Sequence, residues 1–255
     1  MKPSRSLTSF LVGVGMFLLL WQMAAWLVDR PILPAPVVVL PLFARSIAGE
    51  LGLHFLASAG RVLAAILLAV VTAVPSGLAL GQLPTLNRLF APLIAILYPI
   101  PKIVLLPVIY VLMGITDLSK IFLIALIIFF QIMVVVRDEA AGLHPDLLMS
   151  VRSLGAGRRA LFRYVYLPAS LPAVLTALRV SIGTAVAVLF IAEQSLTTWG
   201  LGYYIVVETY QVLLYPQMYA GILGMSVLGL LLYFAVYGLE RKINRHRHLA
   251  GDRNR

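Results

Sequence analysis

The chain has 255 residues, of which 61% are hydrophobic and 12% are charged, and its formal net charge is +10. A soluble domain is typically about half apolar and about a quarter charged, so this composition indicates a polytopic membrane protein. The absence of cysteine excludes disulfides, thiolate catalysis and cysteine-bound metals. We expect a single membrane domain over residues 1–255, with its positive charge setting orientation in the bilayer rather than binding nucleic acid.

Six segments are apolar and long enough to cross a bilayer, whose core requires about 20 helical residues. In chain order they are Leu7–Val28, Val62–Leu83, Leu89–Gly114, Ile121–Val136, Ser170–Ala192 and Tyr219–Tyr237. The first resembles a signal peptide, but its length and the lack of a small-residue cleavage site predict a retained helix. The third contains several prolines and is therefore expected to be broken.

Basic residues cluster before the first span, between the fourth and fifth spans, and after the sixth. With six spans, all three clusters fall on one side of the membrane, which the positive-inside rule identifies as the cytoplasm. Both termini, a basic tail over 241–255 and the segment Leu147–Pro168 are accordingly predicted to be cytoplasmic. The fold class predicted from these patterns is an all-α integral membrane protein with six transmembrane helices.

The segment Leu147–Pro168 begins with a helix signal, because Pro145 and Asp146 suit a first turn. Leu147, Val151 and Leu154 then form one apolar stripe, and glycine at position 155 predicts the end of the helix. Two interpretations remain open from the pattern alone. The helix either lies on anionic lipid or docks into a groove of another protein.

The second half of this segment resembles a motif of permease subunits of bacterial ATP-binding-cassette importers. That motif runs Glu-Ala-Ala, three residues, Gly, nine residues, Ile, one residue, Leu-Pro. Here Gly155, Val165 and Leu167-Pro168 match its second half, whereas Met149 stands at the glutamate position. The literal Glu139-Ala140-Ala141 is out of register with the later residues.

Further motifs are similar to the sulfonate, taurine and nitrate branch of these permeases, which have the type I importer fold. They are Tyr98-Pro99-Ile100-Pro101-Lys102, Leu106-Pro107, Ser119-Lys120, Ala192-Glu193 and Gly200-Leu201-Gly202. The same branch includes importers of pyrimidine precursors of thiamine.

The resemblance implies a homodimer, two cytosolic ATPase subunits, an extracytoplasmic solute-binding protein and a place in the bacterial inner membrane. It implies a short cytoplasmic coupling helix between the fourth and fifth spans. The ATPase-coupling residues would be Leu147, Val151, Leu154, Gly155, Ala156, Arg158 and Pro168.

Ionisable and polar groups within spans are costly and are usually functional or paired. Lys102, beside two prolines, either attracts an anionic solute or bonds to freed carbonyls or a carboxylate. Glu193, beside Gln194, is either a gate residue or an ion-pair partner of Arg179 or Lys102. Arg179 is interpreted mainly as structural, in contact with carbonyls of the broken span. All four residues are candidates for the translocation pathway: Lys102, Arg179, Glu193 and Gln194. We expect Arg61 to extend to the membrane interface.

Gly200-Leu201-Gly202 with Tyr203 and Tyr204 predicts an external turn beside an interfacial aromatic pair. The four histidines, among them His54, are scattered and indicate no metal site. No Walker-type loop and no nucleophile-plus-base set is visible, so we expect no cofactor and no catalysis by this chain. The alternatives are an independent secondary transporter, which the lack of an internal repeat disfavours, and a membrane enzyme, which lacks a catalytic cluster.

Overall fold

The structure is a computed structural model that describes residues 3–194 and 197–243, without the side chains of 3–7, 10, 145, 147 and 158. These residues form helices and no strand, which confirms the all-α prediction. In chain order the α-helices are α1 (Pro3–Val28), α2 (Pro36–Ser46), α3 (Glu50–Gln82), α4 (Pro84–Leu97), α5 (Leu106–Met113), α6 (Asp117–Ala141), α7 (Pro145–Ser153), α8 (Arg158–Leu161), α9 (Leu167–Glu193), α10 (Leu201–Tyr203) and α11 (Tyr215–Ile243). A 3₁₀ turn occupies Lys102–Leu105, and π-helical turns occupy Phe162–Tyr166 and Tyr204–Tyr210.

Five helical segments of the described chain are long and apolar enough to span a membrane: α1, α3, α6, the continuous segment Arg159–Glu193, and α11. The pair formed by α4 and Lys102–Met113 also passes this test but is bent by 83°. Counting the bent pair as one span gives six, in agreement with the sequence. The prolines at 99 and 101 lie at the bend, where a proline ring would clash with a helical carbonyl.

The described residues of the chain divide into two compact units. Unit 1 comprises Met1–Ser58 and Glu193–Val227, and unit 2 comprises Ala59–Ala192 and Leu228–Arg255. Three long helices, α3, α9 and α11, contribute residues to both units.

The core of unit 2 is built from apolar faces of α3, α4, α6 and α9 and includes Leu78, Ile132 and Leu178. Gly77 and Gly81 let α3 lie close to α6. A Cβ at the first would be 2.7 Å from the Met133 carbonyl oxygen, and one at the second 2.6 Å from that of Arg137. Two small residues four positions apart are a common way for membrane helices to pack closely.

The core of unit 1 brings α2 and the start of α3 against the chain that follows residue 200. Val39, Leu51, Leu201 and Ala220 are each fully or almost fully buried. The segment predicted to be an external turn is instead the start of a helical stretch from Leu201 to Tyr210. Tyr204 is buried at 7% exposure, so the expected interfacial aromatic pair is wrong for this residue.

The helix leading into the fifth span begins at Arg158, ahead of Pro168 and of the predicted start of the span at Ser170. Pro168 has no N–H, and its ring would clash with the carbonyl of Tyr164 in a regular α-helix. The preceding π-helical turn relieves this conflict, because the Leu167 N–H donates to the Phe162 carbonyl five residues back. The result is an unbroken helical path from residue 158 to 193.

Candidate functional site

Lys102 closes the end of α4 at the bend. Its Nζ donates to the carbonyl oxygens of Leu97 (2.9 Å), Tyr98 (3.1 Å) and Ile100 (3.3 Å). It also lies 4.4 Å from the centre of the Phe130 ring. A cation suits this position, because the last carbonyls of a helix carry partial negative charge. Of the two roles predicted for Lys102, bonding to freed carbonyls is therefore confirmed.

A cavity of ≈ 340 Å³ lies beside this lysine within unit 2. Its wall consists of the bend itself together with Phe130, Gln131 and Val188. Gln131 Nε2 donates to the Thr184 hydroxyl at 3.5 Å. In the described part of the chain, the contacts of Lys102 are to neutral carbonyls and aromatic rings, which do not cancel its formal charge. The cavity thus combines apolar walls with one cation and one amide, the pattern common in small-molecule sites.

The helix predicted around 147–154 is α7, which is followed by Gly155 in a left-handed conformation with φ +81°. Val151 and Ala156 are half-buried and pack against the core of unit 2. Leu154 is 86% exposed and Met149 is 58% exposed. The expected apolar stripe is therefore split, because the helix ends at Ser153 and Leu154 no longer follows its periodicity.

The remaining residues of this predicted docking surface are placed as follows. Pro168 is exposed, and the side chains of Leu147 and Arg158 lie outside the described residues. A Cβ at Gly155 would meet nothing within 4 Å, so its glycine is required by backbone conformation and not by crowding within the chain.

Arg179 pairs with a residue that the sequence did not suggest. Its Nη1 lies 3.4 Å from Glu240 Oε2, and its guanidinium is 6.0 Å from the ring centres of both Tyr233 and Tyr237. Arg179 was predicted to contact carbonyls of the broken span or to pair with Glu193. Both predictions are wrong, because its ion-pair partner is Glu240. The structural role of Arg179 stands, because the guanidinium links α9 to α11.

Glu193 is fully buried in a hydrogen-bond network within unit 1. Its Oε2 accepts from the Ser58 hydroxyl (2.6 Å) and from the Gly202 N–H (3.1 Å). The Leu201 N–H donates to the same hydroxyl at 2.8 Å. This network anchors the first turn after residue 200 onto α3, which accounts for burial of a carboxylate. Neither predicted partner, Arg179 or Lys102, is among these contacts, and Gln194 is half-buried beside the network.

A second polar group of unit 1 was missed because its histidine looked isolated. His54 is fully buried, and its Nδ1 lies 3.1 Å from the carbonyl oxygen and 3.0 Å from the nitrogen of Gly200. Its Nε2 lies 3.2 Å from Glu208 Oε2. The available signal was periodicity: Glu50, His54 and Ser58 recur at every fourth position and so share one face of α3.

The pKa values of two side chains at this cluster, Glu208 and Tyr204, are raised above their ordinary values. Burial raises the pKa of the Glu208 carboxyl, and the neighbouring Glu50 carboxylate raises it further. Burial likewise raises the pKa of the Tyr204 hydroxyl, and both carboxylates add to this effect.

Arg61, which was predicted to extend to the membrane interface, is held in an ion pair. It is 5% exposed, and its Nη2 lies 2.8 Å from Asp117 Oδ1 at the start of α6. Lys120 approaches the same carboxylate at 3.8 Å. One aspartate thus lies between two cations, and pairing explains why the arginine is buried.

Comparisons with known proteins identify the family. Residues 65–245 match the family described as binding-protein-dependent transport system inner membrane component. The chain is 30% identical to the taurine transport system permease protein TauC of Escherichia coli (strain K12), over 94% of this chain and 90% of that protein. It is 28% identical to the putative aliphatic sulfonates transport permease protein SsuC of Bacillus subtilis (strain 168), over 97% and 91%.

Two further likenesses are lower in identity. The formylaminopyrimidine transport permease protein ThiX of Halalkalibacterium halodurans is 26% identical over 88% of this chain and 90% of that protein. A solved structure of the MetNI methionine ABC transporter in an inward-facing conformation aligns with a TM-score of 0.61 at 17% identity. It covers 76% of this chain and 96% of that chain, and it supports the fold alone.

These matches agree with the resemblance seen in the coupling motif and with the apolar helices of the structure. Proteins of this kind are multi-pass inner-membrane permease subunits of ATP-binding-cassette importers, and ATP is hydrolysed on a partner subunit, so the chain is not itself an enzyme. The chain belongs to the family of binding-protein-dependent transport system inner membrane components.

Proposed function

We propose that this permease carries a small organic anion of the sulfonate type, such as taurine, across the inner membrane. The observation that carries the solute class is the cavity beside Lys102, in a chain whose relatives include a taurine and an aliphatic sulfonates permease. Its volume of ≈ 340 Å³ falls within the range of about 300–1,000 Å³ that small-molecule sites occupy.

The lysine contributes a positive potential more than a direct bond. Its three N–H donors face three carbonyl oxygens, so a solute anion would be attracted by charge at short range. Gln131 offers an amide to a sulfonate oxygen from the wall of the same cavity. An apolar wall with weak, mainly electrostatic attraction suits a pathway, because a transported solute must also leave.

Coupling to the ATPase is proposed to run through α7 and the residues that follow it. Met149 and Leu154 offer exposed apolar surface to a groove, while Val151 and Ala156 attach the helix to the core of unit 2. A force on α7 would then reach the core through packed side chains, and the continuous helix from residue 158 to 193 would carry it further. Leu147, Gly155, Arg158 and Pro168 complete the proposed coupling segment.

The working assembly is proposed to contain two copies of this chain, two cytosolic ATPase subunits and an extracytoplasmic binding protein. Both termini and α7 are assigned to the cytoplasm, because six spans place all three basic clusters on that side. The whole chain would act as one permease domain in that assembly, held in membrane lipid.

Transport in proteoliposomes tests the solute class and the energy source together. The permease would be reconstituted with the ATPase subunit and the solute-binding protein of the proposed assembly. We expect taurine or an alkanesulfonate to stimulate ATP hydrolysis and to be taken up only when ATP is present. Stimulation by formylaminopyrimidine alone would overturn the anion assignment, and uptake driven by an ion gradient without the ATPase would overturn the importer mechanism.

Topology is tested separately, since the chain has no cysteine of its own. Ser153 and Thr198 are exposed and lie in segments assigned to opposite sides. A membrane-impermeant maleimide applied from outside should label Thr198→Cys and not Ser153→Cys. Labelling in the reverse order would contradict the proposed orientation.

A further inference from the structure

Three side chains with metal-binding atoms meet in unit 1, outside the cavity and the coupling segment. One oxygen each of Glu50 and Glu208 and a ring nitrogen of His54 all lie within 4.8 Å of one another. They come from distant parts of the chain, the start of α3 and the π-helical turn after α10. The group therefore arises from tertiary packing and includes an imidazole as well as two carboxylates.

The imidazole is held in one orientation by its surroundings. Its ring lies 5.0 Å from that of Trp199 and 5.4 Å from that of Tyr204. Its Nδ1 faces both the Gly200 carbonyl oxygen at 3.1 Å and the Gly200 N–H at 3.0 Å, so it either donates to the first or accepts from the second. A metal ion on Nε2 requires the tautomer in which Nδ1 carries the proton and donates to the carbonyl. The Nε2 lone pair then faces the carboxylates. A metal-binding histidine almost always donates its other ring N–H to a carbonyl or carboxylate in this way.

The distances are close to those that a tetrahedral ion requires. Ligand atoms at 2.0–2.2 Å from Zn²⁺ are about 3.3–3.6 Å apart. His54 Nε2 and Glu208 Oε2 are already 3.2 Å apart. Glu50 is exposed in the first turn of α3, so rotation of its side chain can bring its carboxylate the roughly one ångström closer that the ion requires.

We propose that Glu50, His54 and Glu208 bind a divalent transition-metal ion of the Zn²⁺ type, with His54 Nε2 and one oxygen from each carboxylate as ligands. Three protein ligands leave a fourth position for water or for a group from outside. One imidazole and two carboxylates favour Zn²⁺ over Mg²⁺, which prefers six oxygen ligands.

Charge supports the same conclusion. Two carboxylates held this close repel each other, and a dication relieves that repulsion. Partial exposure of Glu50 and Glu208 leaves a route by which a hydrated ion can enter.

Zinc binding to the full-length chain in nanodiscs tests the proposal without any transport assay. Competition with a chromogenic zinc chelator would report affinity. The starting variant carries His144→Asn, His246→Asn and His248→Asn, which removes every histidine other than His54 and so removes competing sites. Thiolate binding is absent because the chain has no cysteine.

In this background we expect one Zn²⁺ per chain and no competition by millimolar Mg²⁺. Glu50→Gln and Glu208→Gln preserve side-chain shape and should each weaken zinc binding at least about tenfold, since even an indirect partner of a metal ligand contributes this much. Asp29→Asn, an exposed carboxylate of the same unit, is the matched control and should leave affinity unchanged.

Several results would overturn the site. They are the absence of zinc binding by the folded background protein, an affinity that neither glutamine variant changes, and an equal loss in Asp29→Asn. Thermal unfolding of each variant, measured without zinc, distinguishes loss of the ligand from loss of the fold. His54→Asn is left out, because its hydrogen bonds to Gly200 give that change a structural cost of its own.

Discussion

Replacing Leu154 with alanine tests whether the ATPase subunit binds the end of α7. Leu154 is 86% exposed, so little of its area is buried within its own chain. Complete burial of a leucine contributes about 1.5–3 kcal/mol, at about 0.8 kcal/mol per CH₂ group. Removing the three outer carbons from a partly covered contact should weaken docking by about 1–2 kcal/mol, which is about 5–30-fold in affinity.

The assay is a titration of nanodisc-held permease with the purified ATPase subunit, followed by solute-stimulated ATP hydrolysis at saturating ATPase. Affinity should fall, and the stimulated rate should recover when enough ATPase is added. The thermal stability of the permease should stay within about 0.5 kcal/mol of the parent, because exposed substitutions seldom change folding more.

Two further substitutions serve as controls for Leu154→Ala. Leu118→Ala removes a leucine that is 60% exposed at the start of α6, on the side assigned to the outside, and should not change ATPase affinity. Val151→Ala removes packing against the core of unit 2 and should lower thermal stability more than it lowers affinity. Unchanged affinity in Leu154→Ala, or an equal loss in Leu118→Ala, would refute the docking role.

Three further changes test other parts of the structure. Gly155→Trp should abolish coupled transport while the protein stays inserted. In thermal unfolding, Gly155→Asn should destabilise the protein far less than Gly155→Ala, because asparagine tolerates positive φ. Lys102→Met should cost about 1–3 kcal/mol of stability by removing charged hydrogen bonds to carbonyls. Lys102→Arg keeps the positive charge. Anion uptake that is retained in Lys102→Arg and lost in Lys102→Met would separate attraction of the solute from capping of α4. Loss of uptake in both variants would contradict attraction of the solute. Gly77→Leu should reduce the yield of folded protein on size-exclusion chromatography, because its Cβ alone would lie 2.7 Å from a carbonyl oxygen of α6, whereas Gly60→Leu, where a Cβ meets nothing within 4 Å, should be tolerated.

Local chemistry explains which features were predictable. The break at Pro99 and Pro101 follows from ring geometry that no tertiary context can remove, and the structure bends there by 83°. The carbonyl contacts of Lys102 join residues within five positions, so one interpretation of the sequence already contained them. The end of α7 before Gly155 was visible for the same reason, since a φ of +81° favours glycine over nearly every other residue.

Other predictions failed where a partner lies far along the chain. Arg179 was expected to meet Glu193 or the broken span, but it pairs with Glu240 on α11. His54 was judged isolated, but Glu208 and Gly200 lie beside it. Periodicity places a residue on a helix face, and only the rotation and packing of helices decide what that face meets.

The sequence by itself determined the membrane class, the number of apolar segments and the family resemblance, because bilayer thickness and backbone hydrogen bonding impose long apolar helices on any spanning chain. Tertiary structure alone decided the pairing of Arg61 with Asp117, the burial of Glu193 against Ser58 and Gly202, and the split of the α7 stripe into a packed Val151 and an exposed Leu154. These depend on which side chains approach within a few ångströms when helices pack. That distance is a property of the folded chain and leaves no periodic mark in the order of its residues.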